Sequence, residues 1–249
     1  MFRAKKWIAL PLCLGIAMSV QSVAAIPLQK GREERVMEEN FTPRRGKYAP
    51  TGAQGCYENG NVARILDVLK EKNVPAAFFI LENLVTANTE LVRRMVAEKH
   101  LVCNHTARHH DMTRMDKAGF AAELSAMEKI YTEKTGEKLA PYYRPPEGKT
   151  NEDNLRWAEE LGYKTIFWSY AYADWDNERQ MDPAKALDKL LTGLHNGEVL
   201  LLHPTSATNA AILSDLIDAL VEKGFRFGTL DELTGASDPA NDAGACGNA

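Results

Sequence analysis

From Asn61 to Thr229 the hydrophobic pattern switches repeatedly between the 3.6-residue period of an amphipathic helix and short apolar runs of strand length. Asn61 to Lys70 sets Val62, Ile65, Leu66 and Leu69 on one helical face, and Pro75 to Ile80 follows as a buried strand. The order then recurs. A helix over 90–99 leads to a strand over Leu101 to Asn104, and a long helix from Asp116 to Thr135, stopped by Gly136, leads to a strand over Tyr142 to Arg144. A helix over 151–161 precedes a strand over Lys164 to Ser169, and a helix over 183–194 precedes one over Val199 to His203. Ala207 to Glu222 is helical again, and Phe225 to Thr229 is a last short strand. Such alternation predicts an α/β fold, one domain with parallel strands inside and helices outside. In such folds chemistry gathers at the carboxyl ends of the strands.

The flanks read differently. Arg3, Lys5 and Lys6 precede an apolar run from Trp7 to Val20, and Val23-Ala24-Ala25 offers small residues before a cut. That is the pattern of an export signal over 1–25, and it implies an extracellular, cell-wall or periplasmic protein. Pro11 and Gly15 interrupt the run, which is shorter than the ~20 residues of a membrane span, so no stable span is expected. Residues 26–56 read as an irregular charged leader, 57–235 as the working domain, and the Gly-, Ala- and Asn-rich tail over 236–249 as disordered. Beyond Cys13, an odd set of Cys56, Cys103 and Cys246 gives no disulfide framework, and a Cys56–Cys103 contact stays open. A net charge of −4 gives no reason to expect nucleic acid as a partner.

Four motifs sit at or just past predicted strand ends. His105 and His109 stand four apart after Leu101 to Asn104; on a helical turn they would share a face and, neutral, bind zinc, cobalt, nickel or iron. Arg144-Pro145-Pro146, Asp174-Trp175 and Leu201-Leu202-His203 occupy the equivalent positions of three later strands. Gly-x-Ser-x-Gly, the mark of a serine esterase of the α/β-hydrolase type, is absent.

Taken in order, these segments resemble the NodB-type polysaccharide deacetylases, carbohydrate esterase family 4, over Tyr57 to Leu233. The subgroup most resembled de-N-acetylates muramic acid in peptidoglycan on the way to the δ-lactam of spore cortex. The resemblance implies a distorted (β/α) barrel with fewer than eight strands, a cell-wall polysaccharide substrate and hydrolysis of an N-acetyl amide. It implies a divalent metal, zinc with cobalt, nickel or manganese as alternatives, on His105 and His109 of His105-Thr106-Ala107-Arg108-His109. Asn104 and Asp111 become candidates to fix the imidazole tautomers, and His110 a bystander. Arg144-Pro145-Pro146-Glu147-Gly148 implies a groove wall on which Arg144 holds a carboxylate and organises the catalytic base. Trp168 to Trp175 and Leu201-Leu202-His203 imply that Asp174 orients His203, the acid that protonates the leaving amine. Tyr57, Pro145, Tyr172 and Trp175 are the expected sugar-contacting residues, with Trp168 either beside them or in the core.

The first family motif departs from the pattern. Tyr57-Glu58-Asn59-Gly60 is kept, but Gln54 stands where the catalytic-base aspartate belongs and Gly55 at the third metal ligand. Lys47 to Cys56 holds no carboxylate, and Pro50, Gly52 and Gly55 argue against a central strand there. Three readings follow: Glu58 takes over as base, the protein binds glycan without turnover, or a shifted reading frame has altered this stretch.

Overall fold

The computed structural model describes residues 22–30 and 58–235. In chain order the elements are β1 (Ser22–Lys30), α1 (Asn61–Lys72), β2 (Ala77–Ile80), α2 (Glu82–Ala87), α3 (Thr89–Ala97), β3 (Leu101–Asn104), α4 (Lys117–Thr135), β4 (Ala140–Tyr143), α5 (Glu152–Glu160), β5 (Lys164–Thr165), β6 (Tyr170–Ala171), α6 (Pro183–Thr192), β7 (Glu198–Leu202), α7 (Ala207–Glu222), β8 (Phe225–Phe227) and α8 (Leu230–Thr234). Helix starts are set by side chains that accept the first free N–H groups: Asp116, Asn151, Asp182 and Ser206 take those of Gly119, Asn154, Lys185 and Asn209. At the end of α4, Gly136 turns left-handed with φ 79°, a conformation that only glycine enters without strain.

One sheet holds all the strands, in the order β5-β4-β3-β2-β1-β7-β6, with β8 also on β1. β2 to β5 are mutually parallel, β6 is parallel to β7, and β1 runs antiparallel to β2, β7 and β8. Every strand except β1 therefore points the same way. Their carboxyl ends share one edge, where the site must lie. Strand alternation gives the sheet two buried faces, and a smaller cluster of Met112, Phe120, Leu124, Tyr143, Ala158 and Tyr163 packs under α4 and α5. Ala77, Phe79, Cys103, Tyr142, Val199 and Leu201 pack with Ile166 and Trp168 on the inner face, while Phe78, Ile80, Val102, Leu200 and Leu202 meet the helices outside.

The expected strand over Lys164 to Ser169 is broken in the middle. Ile166 N–H still reaches Tyr143 O beside β5, but Ser169 N–H reaches Val199 O beside β6, so the segment passes from one sheet edge to the other. The carbonyls between them bond elsewhere. Arg144 Nε donates to Ile166 O at 3.2 Å and Nη2 to Phe167 O at 3.4 Å, occupying acceptors that a ladder would use.

β1 was not anticipated, and it corrects the reading of residues 26–30 as irregular leader. Val23 to Leu28 is apolar and partly β-branched, a composition that suits a strand as well as the end of an export signal. A cut after Ala25 would fall inside this strand and remove Ser22 to Ala25, the residues that pair with Ile80 to Ala77 of β2. The short helices α2 and α8 were also unforeseen. Cys103 is a buried free thiol whose pKa burial pushes up, which makes it inert; Cys56, Cys246 and the tail lie outside the described residues. Among the described residues no helix is long and apolar enough to cross a membrane.

Candidate active site

At the carboxyl end of β7, His203 meets Asp174, carried on the loop that follows β6. His203 Nδ1–H donates to Asp174 Oδ1 at 2.7 Å, and His203 N–H donates to Asp174 Oδ2, also at 2.7 Å. Both residues are 1% exposed. A carboxylate accepts only, so this contact sets the proton on Nδ1 and leaves exchange with a substrate to Nε2. The first turn of α7 closes around the pair: Asn209 Nδ2 donates to Asp174 Oδ2 at 2.6 Å and to His203 O at 3.1 Å. His203, Trp175, Met181 and Lys189 line a cleft of about 380 Å³.

At the carboxyl end of β3 the two other histidines converge, but not on a helical turn. Residues 105–109 form a loop in which Thr106 (φ 71°) and His109 (φ 59°) are left-handed. Asn104 Oδ1 holds Thr106 N–H at 2.9 Å, and Thr106 Oγ1 accepts His109 N–H at 2.9 Å, folding the chain back on itself. The imidazoles meet edge to face with centroids 5.0 Å apart. His105 Nδ1–H donates to Arg144 O at 2.8 Å, which directs its lone pair to Nε2. His109 Nε2 is buried and has no hydrogen-bond partner among the described residues. Burial, then the neighbouring His109, holds His105 well below the usual histidine range, and burial pulls His109 down to about 4 against the opposing Glu147 carboxylate. Both rings are therefore neutral at pH 7, the form that binds metal. His203 is near enough for its charge to act on both. Neutral, adjacent, one with a stranded nitrogen, the pair suits a borderline cation such as zinc. Among the described residues no third histidine, cysteine or carboxylate joins them.

Arg144, at the carboxyl end of β4, is fully buried. Its guanidinium lies 4.0 Å over the Phe79 ring and 5.4 Å from that of Trp168, capping the inner core. No carboxylate touches it among the described residues, Nη1 has no partner, and burial pushes its pKa down to about 9.

Several expected roles are corrected. Glu58 Oε1 accepts from Gly60 N–H at 2.7 Å and Val62 N–H at 3.1 Å, so this carboxylate serves the start of α1. Asn104 touches neither imidazole; its Nδ2 donates to Leu124 O and Tyr163 OH. Asp111 caps the turn at Thr113 instead of reaching a ring. Trp168 is buried in the inner core, whereas Tyr172, largely buried with its hydroxyl on Asn209 Oδ1, still lines the cleft. Trp175, half-buried, lines it too. Pro145 is buried, His110 is exposed near Glu123, and Tyr57 lies outside the described residues. Asn209 was missed. A signal was there: it continues the apolar face of α7 formed by Leu213, Leu216 and Leu220, and a polar residue on such a stripe is buried for a reason.

The polysaccharide deacetylase family profile matches residues 51–166. The peptidoglycan-N-acetylmuramic acid deacetylase PdaA of Bacillus subtilis is 36% identical over 177 residues, 71% of this chain and 67% of that one. Its solved structure, a family 4 carbohydrate esterase, superimposes with a TM-score of 0.70 at 35% identity, covering 73% of this chain and 78% of the other. A family 4 carbohydrate esterase from Bacillus anthracis gives 0.62 at 38% identity, covering 73% and 79%. A family 4 pseudoenzyme from the same organism gives 0.65 at 25% identity, covering 72% and 62%.

Proposed function

The chain belongs to the polysaccharide deacetylase family, and from that premise we propose that it removes N-acetyl groups from a cell-wall polysaccharide, peptidoglycan, acting outside the cytoplasm. The observation that carries this reading is the convergence, at one edge of the sheet, of a buried His203–Asp174 pair with two neutral histidines. Amide hydrolysis must polarise a carbonyl and protonate a poor leaving amine, and these two sets divide that work.

His105 and His109 would hold a divalent cation, zinc or else cobalt, nickel or manganese, which when bound supplies Lewis acidity toward the acetyl carbonyl. His203 delivers a proton from Nε2 to the departing amine, while Asp174 keeps the ring in the required tautomer and stabilises its charged form. Trp175 forms a wall for the sugar ring. Arg144, with Nη1 open, would hold the anionic partner of the water-activating step.

A second reading is a family member that binds glycan without turning it over. Arg144 favours it, because no described carboxylate pairs with the guanidinium and Glu58 is engaged at α1. Acetate released from purified peptidoglycan, abolished by a chelator and restored by zinc or cobalt, supports the enzyme. Retention on peptidoglycan with no acetate released under any metal selects the binder.

A further inference from the structure

Asp174 presents two oxygens, and their partners differ. Among the described residues Oδ1 receives the imidazole of His203, whereas Oδ2 receives the His203 backbone N–H and the Asn209 amide, at 2.7 and 2.6 Å. The orientation of that amide follows from chemistry, since a second oxygen at this distance from a carboxylate would be repelled. Nδ2 must face Asp174. Asn209 Oδ1 then points to Tyr172, whose hydroxyl has to donate. The remaining Nδ2 proton reaches His203 O, so one side chain ties both ends of the acid pair together. Its backbone is fixed in turn: Asn209 N–H donates to Ser206 Oγ, Ser206 Oγ donates to Gln180 Oε1, and Gln180 Nε2 donates to Asp174 O at 3.1 Å. Asn209 is 1% exposed and touches no cleft surface, so it acts through Asp174.

We propose that Asn209 is a positioning residue for proton delivery: it pins Asp174 Oδ2, which keeps Oδ1 aligned on His203 Nδ1–H and so confines proton exchange with the substrate to Nε2. The proposal rests on the deacetylase reading for its consequence in catalysis, but not for its geometry. A pinned carboxylate has one way to meet the ring; a carboxylate lacking the Asn209 donor is free to rotate about its last bond.

Asn209→Leu is the decisive variant, because it keeps the size while removing the donor, and Tyr172→Phe controls for the acceptor lost with it. In the full chain, kcat for acetate release should fall about 10- to 100-fold with KM within about twofold, the usual scale for groups that orient a reacting side chain. The low-field proton resonance of His203 Nδ1–H, assigned by its loss in His203→Gln, should shift upfield or broaden. Asn209→Ala should behave alike, and Tyr172→Phe should retain the resonance and lose less than about tenfold in kcat. A resonance unmoved in Asn209→Leu overturns the proposal, as does wild-type kcat with only a lowered Tm, which would mark a purely structural role. Should the wild type itself release no acetate, the deacetylase reading fails alone and the resonance still decides the positioning role.

Discussion

The two sides of the sheet's carboxyl edge, one holding the cleft and one holding the histidine pair, are finished to different degrees. On the wall built from β6, β7 and α7, the ring Nδ1 of His203, both oxygens of Asp174 and the amide of Asn209 are all engaged with one another. On the wall built from β3 and β4, His109 Nε2 and Arg144 Nη1 are buried without partners among the described residues. Each buried polar atom left unmade costs about 1–3 kcal/mol, so a chain tolerates them where something from outside completes them. The closed wall works with groups already in place. On the proposed function, the open wall would take a cation and an anion.

The largest effect expected from breaking that contrast is on the closed wall. His203→Ala should lower acetate release about 10²- to 10⁴-fold, the typical contribution of a general acid, with metal binding unchanged by calorimetry. If both fall together, the walls are one unit and the division is wrong. Next is the open wall: zinc should raise the Tm of the wild type, by an amount equal to about 2.7 kcal/mol when free zinc is 100 times its Kd, and should leave His109→Ala unmoved. A shift that survives His109→Ala would place the cation elsewhere.

Much of this was legible in the sequence, and where it was not the reason is physical. The helix and strand alternation became the inner and outer core layers because period 2 and period 3.6 report burial directly. His105 and His109 were found by spacing, yet spacing gives separation and not backbone; the left-handed Thr106 and His109 depend on Asn104 and Thr106 side chains that no periodicity encodes. Ser22–Lys30 carries the same apolar residues an export signal does, so composition alone has no means to separate the two. Glu58 was nominated as the nearest carboxylate to a gap in the motif, before the free N–H groups of α1 claimed it. Asn209 hid because position three of a helix is where polar side chains are ordinarily found.

Arg144 offers a smaller test of the open wall. Among the described residues the fully buried guanidinium meets two aromatic rings and two carbonyls but no carboxylate, an arrangement expected to cost stability. Arg144→Met keeps the apolar contacts with Phe79 and Trp168 and removes the charge. Unfolding in urea should show a gain of about 1 kcal/mol together with a loss of activity, the signature of a group kept for function. A loss of stability would mean that its two carbonyl bonds outweigh the stranded charge.

The smallest effect concerns a histidine that is stranded without being a site. His100 precedes β3 at the end opposite His105; it is 7% exposed, packs edge to face on Phe78 at 5.4 Å, and neither ring nitrogen has a partner among the described residues. Burial lowers its pKa, with Glu98 opposing and Arg94 assisting. A folded pKa below the unfolded value of about 6.5 means that the unfolded chain binds more protons between the two, so this stability is complete above about pH 6.5 and is lost as pH falls toward the folded pKa. His105 and His109 carry the same sign, and His109 extends the window down to about 4. His100→Leu should therefore flatten part of the decline in urea stability between pH 7 and pH 5, by less than about 1 kcal/mol, and leave the rest to the pair. Zinc separates the two contributions. It should raise stability above pH 6 by occupying His105 and His109 as neutral ligands, in wild type and His100→Leu alike, because nothing at His100 offers a second donor. A zinc response that depended on His100 would erase the difference between a nitrogen stranded by packing and one held open for a ligand.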